Sequence, residues 1–191
     1  MLMSYKVCFV CTGNASRSPF AECVTWKLLA DAGMENIEVY SLGTLDWGEN
    51  PREAAMADVA RELGYDLDGT TTAMTRERLL AADVIIYFEP AHRDALTSAL
   101  DYDRWSRLVA FNRIAFGEEG YVAAPHYQSA SVYRRVAEHI ESGCKRLIEK
   151  WREEKREKCG NDEEITNVTW ILRKKLGGFA ERLYFCGVKI T

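Results

Sequence analysis

The stretch KVCFVCTGNASRSP, residues 6–19, decides the fold, because a short apolar run passes through a glycine-containing loop into the start of a helix. The run Lys6–Val10 is rich in β-branched and aromatic residues and predicts a buried strand. Gly13 ends it, and Pro19 suits the first turn of a helix that continues to about Ala32. A strand, a tight loop and a helix in that order form the first half of a βαβ unit.

The loop between that strand and helix, residues 11–18, has the composition of an anion-binding site. Successive backbone N–H groups there can point into one concavity, and the helix dipole adds positive potential. Arg17 adds a planar fork of donors that matches two oxygens of a phosphoryl group. The same field favours a thiolate at Cys11, which makes this side chain the candidate nucleophile. Gly13 permits backbone angles that other residues resist, and the Ser18 hydroxyl is placed to stabilise the thiolate.

The spacing C-x5-R lets the chain curl around a tetrahedral anion, with the sulfur at the bottom and the guanidinium at the rim. By itself this spacing is a weak motif, but its position after a strand and directly before S-P makes it specific. The competing interpretation is an ordinary strand-to-helix turn with a buried cysteine. A Walker-type nucleotide site is disfavoured, because the loop has no G-K-[ST] and no lysine.

Further along the chain, predicted strands alternate with predicted helices, which indicates a parallel sheet. The predicted strands are 37–42, 83–88 and 108–111, and the predicted helices are 51–63, 75–81 and 132–158. The last helix is the clearest, because its apolar residues fall on one face and its charged residues on the other. The predicted domain is therefore 1–158, followed by a C-terminal extension, 159–191, of unknown role.

Composition narrows the class of function. The 191-residue chain is 47% hydrophobic and 28% charged, with a net charge of −4 and a pI near 5.5. That balance argues against a nucleic acid or a membrane as the main partner. No signal peptide and no apolar run of ~20 residues is visible. The six cysteines form no metal-binding pattern, and Cys8 alternates with apolar residues in the predicted strand. We therefore expect a cytoplasmic protein with free thiols.

The loop and its surroundings resemble the low-molecular-weight protein tyrosine phosphatase family. Val10–Pro19 matches the family's V-C-x-G-N-x-x-R-S-P motif, and Ser41–Thr44 is similar to its S-A-G-T segment. Asp46-Trp47 lies where the family often has an aromatic wall beside the site. Similarity continues through the third predicted strand and the long last helix, and covers about residues 5–155. The resemblance implies a three-layer α/β fold of the phosphotyrosine phosphatase I type, with helices flanking a four-stranded parallel sheet.

The resemblance also implies a mechanism and a set of site residues. Cys11 would attack phosphorus and form a phosphocysteine while Arg17 and the loop amides hold the other oxygens, and neither a metal nor another cofactor is required. Asn14 and Ser41 would help to fix the loop's shape. The expected partner is a phosphorylated protein or a small phosphomonoester, and free phosphate or sulfate should also enter the loop. The other residues expected at the phosphate or beside the substrate are Thr12, Gly13, Ala15, Ser16, Ser18, Trp47, His126 and Tyr127.

One departure from the family bears directly on catalysis. The family's D-P-Y loop, whose aspartate protonates the leaving group, reads A-P-H here, with Ala124 at the position of the acid. A positioned acid contributes roughly 10²–10⁴-fold to the rate, so we expect reduced turnover. Either the change was introduced to trap a bound substrate, or it is a natural variant that is inactive or rescued by a neighbour. The candidate neighbours are His126, Glu118 and Glu119.

Two further departures lie in the loop. Ser16 stands where the family usually has a second cysteine, which can form a protective disulfide with the nucleophile. Ala15 replaces a residue that is often isoleucine in tyrosine phosphatases and threonine in arginine phosphatases, so it favours neither substrate. Three functions remain: a tyrosine phosphatase, an arginine phosphatase, or a module that binds phosphorylated ligands without turnover. A thioredoxin-coupled arsenate reductase is disfavoured, because residues 80–95 contain no cysteine.

Overall fold

The centre of the molecule is one four-stranded parallel sheet with the strand order β2-β1-β3-β4. The computed structural model describes residues 4–159, with side chains for residues 4–153. Its strands are β1 (Tyr5–Cys11), β2 (Ile37–Gly43), β3 (Val84–Tyr87) and β4 (Leu108–Ala110). The prediction of a four-stranded parallel sheet from alternating strands and helices is confirmed.

Helices connect the strands and follow the last one. They are α1 (Arg17–Asp31), α2 (Ala54–Glu62), α3 (Arg76–Ala81), α4 (Pro90–Ala99), α5 (Phe111–Phe116) and α6 (Ala130–Cys159), with a 3-10 helix at Tyr102–Arg107. In the described part of the chain, none of them is both long and apolar enough to cross a membrane.

Side chains of β1 alternate between the two faces of the sheet, so each face has its own apolar cluster. Val7 and Phe9 pack with residues of α1, α2, α5 and α6. Cys8 and Val10 pack with residues of α3 and α4 on the other face. The three layers of the expected fold are therefore present, and Cys8 is a core residue on the face opposite to Cys11.

Several helix boundaries differ from the predicted ones. α1 begins at Arg17, two residues before Pro19, because the loop turns directly into the helix. α2 begins at Ala54 and not at Pro51, because Pro51 is engaged in an isolated β-bridge with Thr70.

Two helices, α4 and α5, were absent from the sequence prediction. The structure describes only the first residue of the predicted extension, 159–191. Pro90 at the start of α4 is a signal for a helix start, but it directly follows the apolar run of the predicted strand 83–88, and the helix was not predicted. α5 begins at Phe111, which the sequence assigns to the fourth strand. Of the predicted extension, residues 160–191 lie outside the part that the structure describes.

The topology places one crevice at the carboxyl ends of the two central strands. β1 and β3 are neighbours, and the helices that follow them, α1 and α4, pack on opposite faces of the sheet. In open parallel sheets such a switch point is where ligands bind. Two segments leave the strands there: residues 11–18 after β1 and residues 88–92 after β3.

Candidate active site

The loop at residues 11–18 wraps the start of α1 around a buried thiol. Cys11 ends β1 and is 3% exposed, and its Sγ lies 3.0 Å from the Ser18 hydroxyl oxygen. The Ser18 oxygen accepts a hydrogen bond from the Asn14 side chain, and its single proton can be donated either to the sulfur or to the Leu42 carbonyl, 3.3 Å away. Donation to the sulfur would let this neutral hydroxyl stabilise a thiolate, which is the role expected of Ser18.

Loop carbonyls point away from the thiol and are held by the next layer of residues. The carbonyl oxygens of Cys11 and Thr12 accept from the N–H groups of Thr44 and Leu45, at 2.9 and 2.8 Å. Farther along, the Ala15 carbonyl accepts from the backbone N–H of residue 53 at 3.0 Å. In the described part of the chain, the N–H groups of residues 13–16 have no acceptor in the protein. They are therefore available to a tetrahedral anion at the helix N-terminus.

Asn14 is the hub that fixes the loop. It is fully buried and adopts the left-handed conformation, with φ at 52°. Its amide nitrogen donates to Ser18 Oγ at 3.0 Å and to Ser41 Oγ at 2.7 Å. Its amide oxygen accepts from the Thr72 N–H at 2.9 Å and from Arg52 at 2.6 Å. All four hydrogen-bonding positions of the amide are filled, which also defines its orientation.

Gly13 has a different role from the one that the sequence suggests. Its φ is not positive; in this loop the left-handed residue is Asn14. A Cβ at Gly13 would instead collide with the indole ring of Trp47. Gly13 is therefore required because an aromatic ring packs directly on the loop, and not because of its backbone angles. Gly43 has a similar constraint, since a Cβ there would come within 2.9 Å of the Gly13 carbonyl carbon.

Arg17 is held in place by groups from two distant segments. Its guanidinium is 3% exposed and donates from one nitrogen to the Glu89 carboxylate at 2.5 Å and to the Val122 carbonyl at 2.7 Å. Val122 is tied in turn to the end of β3, because its N–H donates to the Phe88 carbonyl at 2.9 Å. The second terminal nitrogen lies 3.5 Å from the Thr12 hydroxyl. These contacts set the direction of the fork before any anion is bound.

His92 is a site residue that sequence analysis missed. It is 1% exposed and sits in the first turn of α4, where its Nδ1 accepts from the N–H of Glu89 at 3.1 Å. Its Nε2 therefore carries the proton and donates to the Thr12 hydroxyl at 2.9 Å. Burial, helped by the nearby Arg17 charge, lowers the pKa of His92 to about 4. A neutral imidazole thus supports the loop from the opposite face of the sheet.

A second arginine lies beside the loop. Arg52 donates to both the carbonyl and the side-chain oxygen of Asn14. Burial lowers the pKa of Arg52, while the carboxylate of Glu22 and the Cys11 sulfur oppose that shift. Glu22 accepts from the Ser41 hydroxyl at 2.6 Å, and burial raises its pKa. Ser41 thus links the Asn14 amide to an acidic group.

Aromatic side chains form one rim of the site. Trp47 packs on the loop and faces His126, with the ring centroids 6.3 Å apart. The Tyr127 ring lies against His126, with the ring centroids 3.7 Å apart and the ring planes tilted by 48°, and Tyr127 is 91% exposed. His126 therefore has both Trp47 and Tyr127 as ring neighbours, the two aromatic residues expected beside the substrate. Its Nδ1 is 2.7 Å from the Glu53 carboxylate.

The remaining predicted positions show what the site lacks. Ala124 is exposed and brings no polar side-chain atom to the rim. Ala15 likewise has only a methyl group, and Ser16 is buried as the first residue before α1. Glu119 is paired with Arg113 at 2.5 Å. Within the described residues, no three His, Cys, Asp or Glu side chains are grouped to hold a metal ion.

Known proteins resemble this chain in sequence and in fold. A family model for low molecular weight phosphotyrosine protein phosphatase matches residues 6–157. A low molecular weight protein-tyrosine-phosphatase of Streptomyces coelicolor is 31% identical over 162 residues, which cover 80% of this chain and 96% of the relative. A protein-arginine-phosphatase of Geobacillus stearothermophilus is 25% identical, with 78% and 97% covered. A phosphotyrosine phosphatase structure from Vibrio cholerae O395 has a TM-score of 0.74 at 26% identity, with 79% and 99% covered.

Proposed function

Because the chain belongs to the low molecular weight phosphotyrosine protein phosphatase family, we propose that it is a cytoplasmic phosphatase that hydrolyses phosphotyrosine in proteins through a phosphocysteine at Cys11. The chain is a phosphatase by its relatives, and the substrate and the residue roles are the proposal. The observation that carries it is the buried Cys11 thiol, 3.0 Å from Ser18 Oγ, at the start of a loop whose N–H groups at residues 13–16 have no acceptor among the described residues.

The reaction proceeds in two displacements at phosphorus. The Cys11 thiolate attacks, an S–P bond forms, and the bond from phosphorus to the phenolic oxygen breaks. Arg17 and the N–H groups of residues 13–16 bind the three oxygens that do not react. Water then attacks the phosphocysteine, the S–P bond breaks, and inorganic phosphate leaves with the thiolate restored. The Ser18 hydroxyl stabilises the thiolate as attacking and as leaving group.

The rim supports an aryl phosphate over an alkyl one. Trp47 lies against the loop at Gly13 and His126 faces it across 6.3 Å, so a flat ring attached to the bound phosphate meets aromatic side chains. Relatives include arginine phosphatases as well as tyrosine phosphatases, which keeps phosphoarginine as the second candidate. We expect slower hydrolysis than with an aspartate at position 124, because the Ala124 side chain cannot donate a proton to the leaving group.

The test is phosphate release from a phosphotyrosine peptide, compared with a phosphoarginine peptide of the same sequence. The control is a Cys11→Ser variant, which should release no phosphate from either peptide. Rapid acid quench followed by intact-mass analysis should show the unchanged protein heavier by one phosphoryl group. Faster phosphate release from the phosphoarginine peptide would mean that the protein is an arginine phosphatase. Tight peptide binding with no release and no phosphoprotein would mean a binding module.

A further inference from the structure

The rim of the site contains an imidazole and a carboxylate in hydrogen-bond contact, and the proposed function assigns no proton transfer to either. His126 Nδ1 lies 2.7 Å from Glu53 Oε1, and the His126 side chain is 43% exposed while that of Glu53 is 19% exposed. The same oxygen of Glu53 accepts a hydrogen bond from the Tyr133 hydroxyl of α6. Burial and the Glu53 contact raise the pKa of Tyr133, so this phenol stays a donor. Glu53, the residue that precedes α2, is thus also held by Tyr133 of α6.

The pair is also attached to the anion loop. The backbone N–H of Glu53 donates to the Ala15 carbonyl at 3.0 Å, and the preceding residue, Arg52, bonds the Asn14 side chain at 2.6 Å. Trp47, which packs on Gly13, faces the His126 ring. Two independent connections therefore bring His126 to the rim of the loop.

Geometry decides which imidazole nitrogen is free. With Nδ1 directed at Glu53, the Nε2 atom has no partner among the described residues. A carboxylate that holds one imidazole nitrogen orients the ring. An imidazole can both donate and accept a proton, which suits general acid–base work. The groups that face His126 are Glu53, Trp47 and Tyr127, with Tyr133 behind Glu53.

Two other carboxylates of the described residues already have cationic partners. Glu89 is 2.5 Å from the Arg17 guanidinium, where it serves as an acceptor. Glu119 is paired with Arg113 on the α5 side. Ala124 has no titratable group. His126 is a group at the rim that is fixed at Nδ1 and has no partner at Nε2 among the described residues.

We propose that His126, oriented by Glu53, replaces the missing carboxylic acid as the proton donor and acceptor of this phosphatase. This inference rests on the proposed function. In the first step the protonated Nε2 gives its proton to the leaving phenolic oxygen as the S–P bond forms and the P–O bond breaks. In the second step neutral Nε2 takes a proton from the attacking water as the S–P bond breaks. The imidazolium is then restored, so each turnover balances.

The test compares two substrates that need the acid to different extents. Phenyl phosphate has a poor leaving group, whereas 2,4-dinitrophenyl phosphate has a good one that leaves without protonation. His126→Gln should lower kcat/KM for phenyl phosphate by about 100-fold or more and change that for 2,4-dinitrophenyl phosphate far less. Glu53→Gln should give a smaller loss with the same substrate dependence. Glu138→Gln, on the surface of α6, is the matched control and should change neither.

Rescue separates a catalytic role from a structural one. Adding Ala124→Asp to His126→Gln should restore phenyl phosphate turnover, because the carboxyl returns to the position of the acid. Equal losses on both substrates, or no loss, would overturn the role of His126 and leave the proposed function standing. Failure of the unchanged protein to hydrolyse even 2,4-dinitrophenyl phosphate would overturn the proposed function itself, and the inference with it. The unfolding temperature of each variant shows that the fold is retained.

Discussion

Asn14 meets two requirements of the loop at once, a left-handed backbone conformation and a side chain with four hydrogen bonds. The left-handed backbone at φ 52° is most easily adopted by glycine, while the four hydrogen bonds of its side chain require an amide. Asparagine is one of the few other residues that visit this conformation routinely. The loop therefore relies on a single residue for its turn and for its attachment to β2, α1 and the segment before α3.

Substitutions at Asn14 should separate these two contributions. Asn14→Gly keeps the backbone conformation and loses the side-chain bonds, which we expect to cost roughly 2–4 kcal/mol of unfolding free energy. Asn14→Ala loses the same bonds and adds about 1–2 kcal/mol of backbone strain. Urea unfolding of both variants measures the difference. Equal stability of the two would show that the strain is relieved by a movement of the loop.

Among the residues whose side chains are described, 4–153, no thiol lies beside Cys11 to limit its oxidation. The free cysteines of that range are Cys8, Cys11, Cys23 and Cys144, and Cys8, the nearest in sequence, packs on the other face of β1. Ser16 is within the same loop and buried. Peroxide should therefore drive the Cys11 sulfenic acid on to the sulfinic acid, with activity that a thiol reductant does not recover.

A cysteine at position 16 provides the matched comparison. Ser16→Cys should trap the sulfenic acid as a disulfide, so that dithiothreitol restores most of the activity after the same treatment. Intact-mass analysis follows both proteins. A gain of two oxygen atoms in the unchanged protein and a loss of two hydrogens in the variant is the expected pair of results. A reducible disulfide of Cys11 in the unchanged protein would contradict the prediction.

At the scale of elements, α4 shows how a helix start can carry a functional group into a site. Pro90 occupies the first turn, and a capping box joins Glu89 and His92: the Glu89 side chain accepts from the backbone of residue 92, and His92 accepts from the N–H of Glu89. The two capping side chains also contact Arg17 and Thr12. The structure of the helix end and that of the anion loop therefore depend on each other.

This coupling predicts a specific loss of stability in acid. The pKa of His92 is about 4 in the folded protein and near 6.5 in an unfolded chain. Between those values the unfolded state binds more protons, so stability is complete above pH 6.5 and falls as the pH drops toward 4. From pH 7 to pH 5 this group should remove about 1–2 kcal/mol of unfolding free energy.

Replacing His92 by glutamine tests the assignment, because glutamine keeps an acceptor for the helix cap and a donor for Thr12 but does not titrate. Urea unfolding at pH 7 and pH 5 should show a smaller loss for His92→Gln than for the unchanged protein. Other titrating groups are common to both proteins and cancel in the difference. The same loss in both would mean that His92 is not the group responsible.

For the whole molecule, features formed by neighbouring residues could be predicted from the sequence, whereas contacts between distant residues could not. The Cys11–Arg17 loop and β1 were predictable because a strand, a turn and a helix start are encoded by neighbouring residues. The contacts of Glu89 with Arg17 and of Glu53 with His126 join residues 72 and 73 positions apart. Nothing in a single sequence marks such pairs, because packing of whole elements brings them together. The start of α4 was different, because Pro90 is a local signal for a helix start and the sequence prediction still missed that helix.

The described domain forms an apolar core from its own residues. This leads to a prediction about the C-terminal extension. The larger apolar cluster ends along the chain with Ile148 and Trp151 of α6, 4% and 5% exposed, and the family match ends at residue 157. A chain of residues 1–159 should therefore unfold within about 0.5 kcal/mol of the full protein and retain its kcat/KM. A chain of residues 1–147 is the control, and it should lose at least 3 kcal/mol because Trp151 is removed from the core. Instability of 1–159 comparable to that of 1–147 would place residues 160–191 within the folding unit.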